Sequence, residues 1–273
     1  MRIALSFVCA TAAFLLSANS TVLSAEGDRP VNKGAVGGAT SKPRSAEIAA
    51  ISAPQPTPSE LVYTPITPCR AFSNAATMTA TQTKSYQIAG AGDFTTQGGP
   101  ANGCGIPASA KAVAINLTAN GPTGTGFLRA FASDTPRPAT AVLNYRSGES
   151  ITGAATVALG ATGQLAIYAS AATKVVGDIT GYYAPQIQVF MNYDGTAYAG
   201  TTRILATVRL AAGSYRIDVD RNLQLCSVHV NIDGGYFYGS AYPSGSSVFV
   251  STWSINAGEP TATDLYHNVS VHC

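Results

Sequence analysis

The sequence predicts an all-β chain of two small antiparallel β-sandwich domains, jelly-roll or Ig-like. Each is closed by one disulfide, and the pair follows a signal peptide and a disordered linker. Three observations carry this expectation. Apolar residues alternate in short runs separated by Gly, Pro, Asn and Asp turns, and no amphipathic helix is legible. The cysteines beyond the leader fall into two pairs, one in each half of the chain. Charged residues make up only 11% of the 273 while glycine alone supplies 27, a balance suited to small, neutral surfaces kept in solution by hydroxyls and amides.

The first element is the leader. Met1-Arg2 precedes an apolar run from Ile3 to Leu16, which turns small and polar through Ser17 and Ser24-Ala25. That order is a secretory signal peptide, assigned to residues 1–25, with cleavage after Ala25 competing with cleavage after Ser20. Either cut removes Cys9. Ser6-Phe7-Val8 lacks the box that precedes a lipid-anchored cysteine, and the apolar run lies after Cys9, so no lipid anchor is expected there. Four cysteines remain, Cys69 with Cys104 and Cys226 with Cys273. Disulfides of this kind persist outside the reducing cytosol, so the expected location is secreted, periplasmic or at the cell surface. No further segment reaches the ~20 apolar residues of a membrane helix, and the mature protein is expected not to span a membrane. Loss of Arg2 takes one from 16 basic residues set against 14 acidic. No Lys or Arg cluster remains that could follow a phosphate backbone, so nucleic acid is not an expected partner.

Residues 26–60 have few large apolar side chains, balanced charges and prolines from Pro54 to Pro58. They are expected to form a disordered, partly extended spacer. Residues 61–185 form the first β-sandwich domain. In Lys111–Thr118, Val113, Ile115 and Leu117 alternate with Ala114, Asn116 and Thr118, the pattern of a half-buried strand. Further strands are expected at Gly126–Phe131, Ile151–Leu159, Gln164–Ala169 and Lys174–Thr180. Turns at Asn120-Gly121-Pro122, Ser147-Gly148 and Ala161-Thr162-Gly163 separate them, and seven or eight strands fit the span.

Residues 186–273 form the second β-sandwich domain, with turns at Asp194-Gly195 and Asp233-Gly234-Gly235 and alternation through Tyr215, Ile217 and Val219. Cys226 shares parity with Val228, Val230 and Ile232, and Cys273 shares it with Val271 and Val269, so both sulfurs are expected to face the core. Each bridge would stabilise its domain by roughly 3–4 kcal/mol in the chain-entropy treatment.

Ordered motifs in the first domain carry a resemblance. They are Thr64-Pro65-Ile66-Thr67-Pro68-Cys69-Arg70, Gly103-Cys104-Gly105-Ile106-Pro107, Gly126-Phe127-Leu128 and Gly177-Asp178-Ile179-Thr180-Gly181-Tyr182-Tyr183. The span resembles an uncharacterised β domain recurrent in exported bacterial proteins, whose members often carry Asp-Thr-Arg shortly after the opening motif, where this chain has Cys69-Arg70-Ala71-Phe72-Ser73. The resemblance implies no established activity. The last 85 or so residues resemble a C-terminal module of bacterial surface and fibre-like proteins through Asn192-Tyr193-Asp194-Gly195-Thr196, Gly213-Ser214-Tyr215, Arg221 before Cys226, and the valine-rich final strand. By resemblance that module is a terminal display or attachment domain.

Chemistry is sparse. The first domain holds no histidine and only Asp93, Asp134, Glu149 and Asp178 as carboxylates, so it cannot build a Ser-His-Asp site by itself. Asp134 and Glu149 sit in turn-like stretches and are read as turn formers rather than a glycosidase pair. Asp178 interrupts an apolar strand, where a carboxylate needs a cation, with Arg70 or Arg129 as the candidates. His229 and His272 point outward by parity and His267 inward, without the arrangement of a metal site. Asn192-x-Asp194-Gly and Asn231-x-Asp233-Gly are hairpin turns rather than calcium loops, since the downstream acidic ligands are missing. No metal or cofactor is expected.

The binding candidate is the stretch from Asp233 to Gly245 with Phe249 and Trp253, in which Tyr236, Tyr238, Tyr242 and Trp253 would make contact from an adaptable, Gly- and Ser-rich loop. The expected function is that of an exported, non-catalytic surface or envelope protein recognising a glycan, a cell-envelope component or a protein partner. Two alternatives stand beside it. One is a secreted hydrolase with a composite inter-domain site that uses Asp178 or Glu149 with His229. The other is a structural subunit of an extracellular assembly, self-associating through its strand edges.

Overall fold

The structure, a computed structural model, describes residues 60–273 apart from Ala75, Gly235 and Ala257. The expected leader and nearly all of the expected linker lie outside the described residues. The described chain is almost entirely β, in antiparallel sheets with two disulfides.

Residues 61–185 contain eight strands: β1 (Leu61–Ser73), β2 (Thr83–Gln87), β3 (Ala112–Asn120), β4 (Gly126–Ala132), β5 (Leu143–Tyr145), β6 (Ile151–Ala158), β7 (Gln164–Ala169) and β8 (Lys174–Pro185). They form two four-stranded sheets, I in the order β1-β8-β3-β6 and II in the order β2-β7-β4-β5. First pairs with last, second with seventh, third with sixth and fourth with fifth, which is the rolled-up hairpin of a jelly roll. Leu117, Val175, Ile179, Leu128, Leu165 and Ile167 come from the facing sides of the two sheets and fill one core. The Cys69–Cys104 bridge ties β1 to the loop that leads into β3.

β1 and β8 depart from simple alternation. The β1–β8 register slips between Arg70 and Phe72, and the β3–β8 register slips at Thr180, where Ala114 opposes Gly181 but Ile115 opposes Ile179. Each bulge switches the face that later residues present. Asp178 therefore faces outward opposite Arg70, while Tyr182, on the other side of the bulge, turns inward. The two glycines of the Gly177–Tyr183 motif each lie under an aromatic ring of β1. A Cβ at Gly177 would come within 2.2 Å of Phe72, and one at Gly181 within 2.4 Å of Tyr63. The motif is thus accounted for by close packing of β1 on β8.

Residues 187–272 contain β9 (Ile187–Met191), β10 (Ala197–Gly200), β11 (Ile204–Ala211), β12 (Ser214–Val219), β13 (Ser227–Ile232), β14 (Phe237–Ser244), β15 (Ser247–Asn256), β16 (Glu259–Ala262) and β17 (His267–His272). Sheet III runs β10-β9-β17-β13; sheet IV runs β11-β12-β15-β14, with β16 paired to β15. Their inner faces share a second core of Val189, Met191, Tyr215, Ile217, Val250 and Val269.

Two expectations are corrected. Asp194-Gly195 turns the β9–β10 hairpin, but Asp233-Gly234 does not close a hairpin: β13 belongs to sheet III and β14 to sheet IV, so this turn crosses from one sheet to the other. Cys226 packs against the core as parity requires, but Cys273, beyond the end of β17, is exposed. Parity along a strand ceases to orient a side chain once the strand has ended.

Candidate functional site

Three of the four aromatic candidates meet on the outer face of sheet IV. Phe237–Ser244 is strand β14, not an adaptable loop, because it pairs along its whole length with β15. A loop reading follows naturally from its Gly and Ser content; pairing with β15 overrides that weak local preference. Tyr238 opposes Trp253, Ser240 opposes Ser251 and Tyr242 opposes Phe249. The alternation that sends Val248, Val250 and Thr252 inward turns these side chains to solvent.

Cross-strand pairing produces two stacked ring pairs. Tyr238 and Trp253 lie 5.2 Å apart at 18°, and Tyr242 and Phe249 lie 5.4 Å apart at 15°. Four residues of strand separate the pairs, about 13 Å at the usual rise, with Ser240 and Ser251 between them. Tyr238 is 40% exposed and Tyr242 58%. Tyr236 stands apart, 89% exposed in the bend before β14. Phe249 joins the site as the partner of Tyr242.

The face is electrically quiet. Arg216 opposes Phe249 in the register, but its Nε lies 3.1 Å from Asp218, which also accepts the Ser247 hydroxyl at 2.7 Å. What remains is an apolar, weakly hydroxylated platform suited to stacking.

Each of the hydrolytic candidates has its own local partners. Asp178 is held by a two-point contact with Arg70, at 2.9 and 3.2 Å, the cation expected as one of two. Arg129 lies instead over the Phe127 ring. Asp134 follows the end of β4 and accepts the Ala161 N–H, whereas Glu149 lines a cleft with Gly126 at the start of that strand. The length of β4 therefore separates them. His229 packs edge-on against His272 at 5.2 Å on the outer side of sheet III, and Asp194 accepts both the N–H and the hydroxyl of Thr196. Those two bonds hold the Asp194 carboxyl below its ordinary pKa.

The most perturbed acid lies at the end of the second core. Asp264 accepts bonds from Arg209, the Gly213 N–H and the Tyr215 hydroxyl. These donors, Arg209 foremost, lower its pKa to about 2. Burial, with the Asp264 charge adding to it, raises the Tyr215 hydroxyl to about 12. His267 packs on Tyr215 with ring centroids 4.7 Å apart, its Nδ1 2.8 Å from the Leu265 carbonyl, and burial depresses its pKa. His267 is 1% exposed, so its ring is enclosed by the fold, whereas Arg209 and Asp264 stand at the edge of the core and partly meet water.

Sequence reasoning missed the junction between the sandwiches. Arg203 and Asp220 form a buried ion pair there, Asp220 accepts the Ser109 hydroxyl of the first sandwich, and Arg203 donates to the Pro185 carbonyl. An Asp and an Arg 17 residues apart carry no signal until the chain is folded.

No protein-family model and no curated protein matches this chain.

Proposed function

We propose that the chain is an exported, non-catalytic recognition module that attaches to a glycan or envelope component through the outer face of sheet IV. The observation carrying this reading is the twin stack, Tyr238 on Trp253 and Tyr242 on Phe249, on the solvent side of a paired sheet. A rigid strand sets both stacks in place before any ligand arrives, so little ordering is lost on contact. The ring edges and outer ring faces that each stack leaves free, with hydroxyls between them, suit the apolar face and edge of a sugar ring. Two disulfides and a leader with the features of an export signal support a site of action outside the cytosol. Among the described residues no helix is long and apolar enough to cross a membrane.

The test is binding of the oxidised protein to a panel of neutral glycans and to isolated envelope fractions, beside a Tyr238→Ala, Trp253→Ala variant of unchanged melting temperature. Saturable binding that the variant loses supports the reading. Absence of binding to every fraction removes it.

A second reading, a self-associating structural subunit, draws on β11. This edge strand of sheet IV exposes Leu205 and Leu210, at 67% and 50%, and an open apolar edge invites another strand. Light scattering of wild type against Leu205→Lys tests it: concentration-dependent growth that the variant abolishes would favour assembly.

A further inference from the structure

The first sandwich carries a surface of opposite electrical character. On the outer face of sheet II, Arg129 of β4 directly opposes Tyr168 of β7, and Phe127 sits two residues before Arg129 on the same face. The Arg129 guanidinium lies 4.9 Å from the Phe127 ring centre and 5.7 Å from that of Tyr168. From the β4–β5 connection, Arg137 stacks on the same tyrosine at 4.1 Å. Tyr168 points away from the core yet is only 8% exposed, with Arg129, Arg137 and the Phe127 ring packed around it.

Neither guanidinium has a carboxylate within ion-pair reach among the described residues, in contrast to Arg70, Arg203, Arg209 and Arg216, each of which does. Asp134, near Arg137 in sequence, accepts the Ala161 N–H and forms no ion pair with Arg137. The Nε of Arg129 is shielded from solvent and has no acceptor, and such a donor is uncommon in folded proteins. A guanidinium stacked on a ring keeps its N–H donors at its edge, where they can take a carboxylate at two points.

Phe127 also walls a cleft of about 730 Å³ together with Asn144, Ser170, Arg146 and Glu149. Arg146 and Glu149 are of opposite charge, so uncompensated positive charge lies at the Tyr168 end.

We infer that Arg129, Arg137 and Tyr168, with the adjoining Phe127 cleft, form a binding site for the carboxylate groups of an acidic polysaccharide. The arginines take a uronate carboxylate, the Phe127 ring and the polar cleft wall take the sugar body, and the site is independent of the aromatic face of sheet IV. Two unpaired forks select negative charge, and the aromatic and amide lining selects a sugar over a bare anion.

The test is titration calorimetry of the full, oxidised chain with oligogalacturonate, with its methyl ester, and with poly-glutamate. Arg137→Gln, Arg129→Lys with Arg137→Lys, and Tyr238→Ala with Trp253→Ala are measured alongside. The expected result is saturable, salt-sensitive binding of oligogalacturonate that Arg137→Gln weakens by about tenfold or more at unchanged melting temperature. The double-lysine variant, which keeps the charge but loses the fork, should also bind more weakly, while the sheet IV variant binds normally. The inference is overturned by absent wild-type binding, by equal binding of the ester, by unimpaired Arg137→Gln, or by loss in the sheet IV variant alone. Poly-glutamate binding as tightly would overturn the ligand class in favour of an acidic protein.

Discussion

Arg203 and Asp220 meet at 2.9 Å at the junction of the two sandwiches, their side chains only 3% and 9% exposed. Both are elements of the second sandwich, but Asp220 also accepts from Ser109 and Arg203 also reaches the Pro185 carbonyl. Arg221 adds a bond to Thr64 on β1. The pair therefore links the halves as well as bracing one of them, and all of these groups belong to one compact unit.

Removing one member of a buried pair strands the other charge, at a cost of about 3–5 kcal/mol. Asp220→Ala is expected to destabilise on that scale and to split a single calorimetric unfolding transition into two, whereas Ser109→Ala should cost only about 1 kcal/mol. A single, unshifted transition in Asp220→Ala would show that the halves are not coupled through this pair.

Acid should weaken the second sandwich in two windows. Burial lowers the pKa of His267 from its ordinary 6.5, so below that pH the unfolded chain takes up a proton that the folded one resists. Stability then falls until the folded pKa is reached. Asp264, lowered from 3.8 to about 2, contributes stability above its unfolded pKa that is lost as pH falls through that range. Its share is about 1 kcal/mol, since a quarter of the side chain meets water. Urea unfolding followed across pH should show both steps, and His267→Phe should flatten the upper one while leaving the lower.

Much of the fold was legible in the sequence, for identifiable reasons. Alternation in Lys111–Thr118 and Gln164–Ala169 placed β3 and β7, and the parity of His229, His267 and His272 gave the correct faces. β1, β2 and β5 escaped notice. β1 carries prolines and two register slips, and β5 is only three residues long. The aromatic candidates were found from residue type, but their assembly depends on the β14–β15 register, which composition does not encode. The Arg129–Tyr168 contact was hidden for the same reason: β4 and β7 become neighbours only through the roll of the sheet.

The two disulfides should differ in resistance to reductant. Cys104 packs against the first core while Cys273 is exposed, so limited dithiothreitol is expected to open Cys226–Cys273 first. That bridge spans 47 residues, and its loss by Cys273→Ser should cost about 4 kcal/mol in the chain-entropy treatment. Alkylation and peptide mass mapping at increasing reductant would reveal the order, and prior labelling of Cys69 would contradict it.

Gly177 and Gly181 present the same local problem with different escapes. Both lie under an aromatic ring of β1, and a methyl group at either position would overlap that ring. Phe72, above Gly177, is fully buried and stacked on Tyr86 at 3.9 Å, so it has nowhere to go. Tyr63, above Gly181, is 43% exposed and tethered by one bond to the Thr180 carbonyl, and its ring can swing into water. Gly177→Ala should therefore destabilise by about 1–3 kcal/mol or more, and Gly181→Ala by clearly less, with the Tyr63 ring released from its contact with Tyr183. A Gly177→Ala, Phe72→Leu double variant should recover part of the loss by making room for the new methyl group. Equal effects of the two single substitutions in thermal unfolding would show that the freedom of the overlying ring does not set the cost.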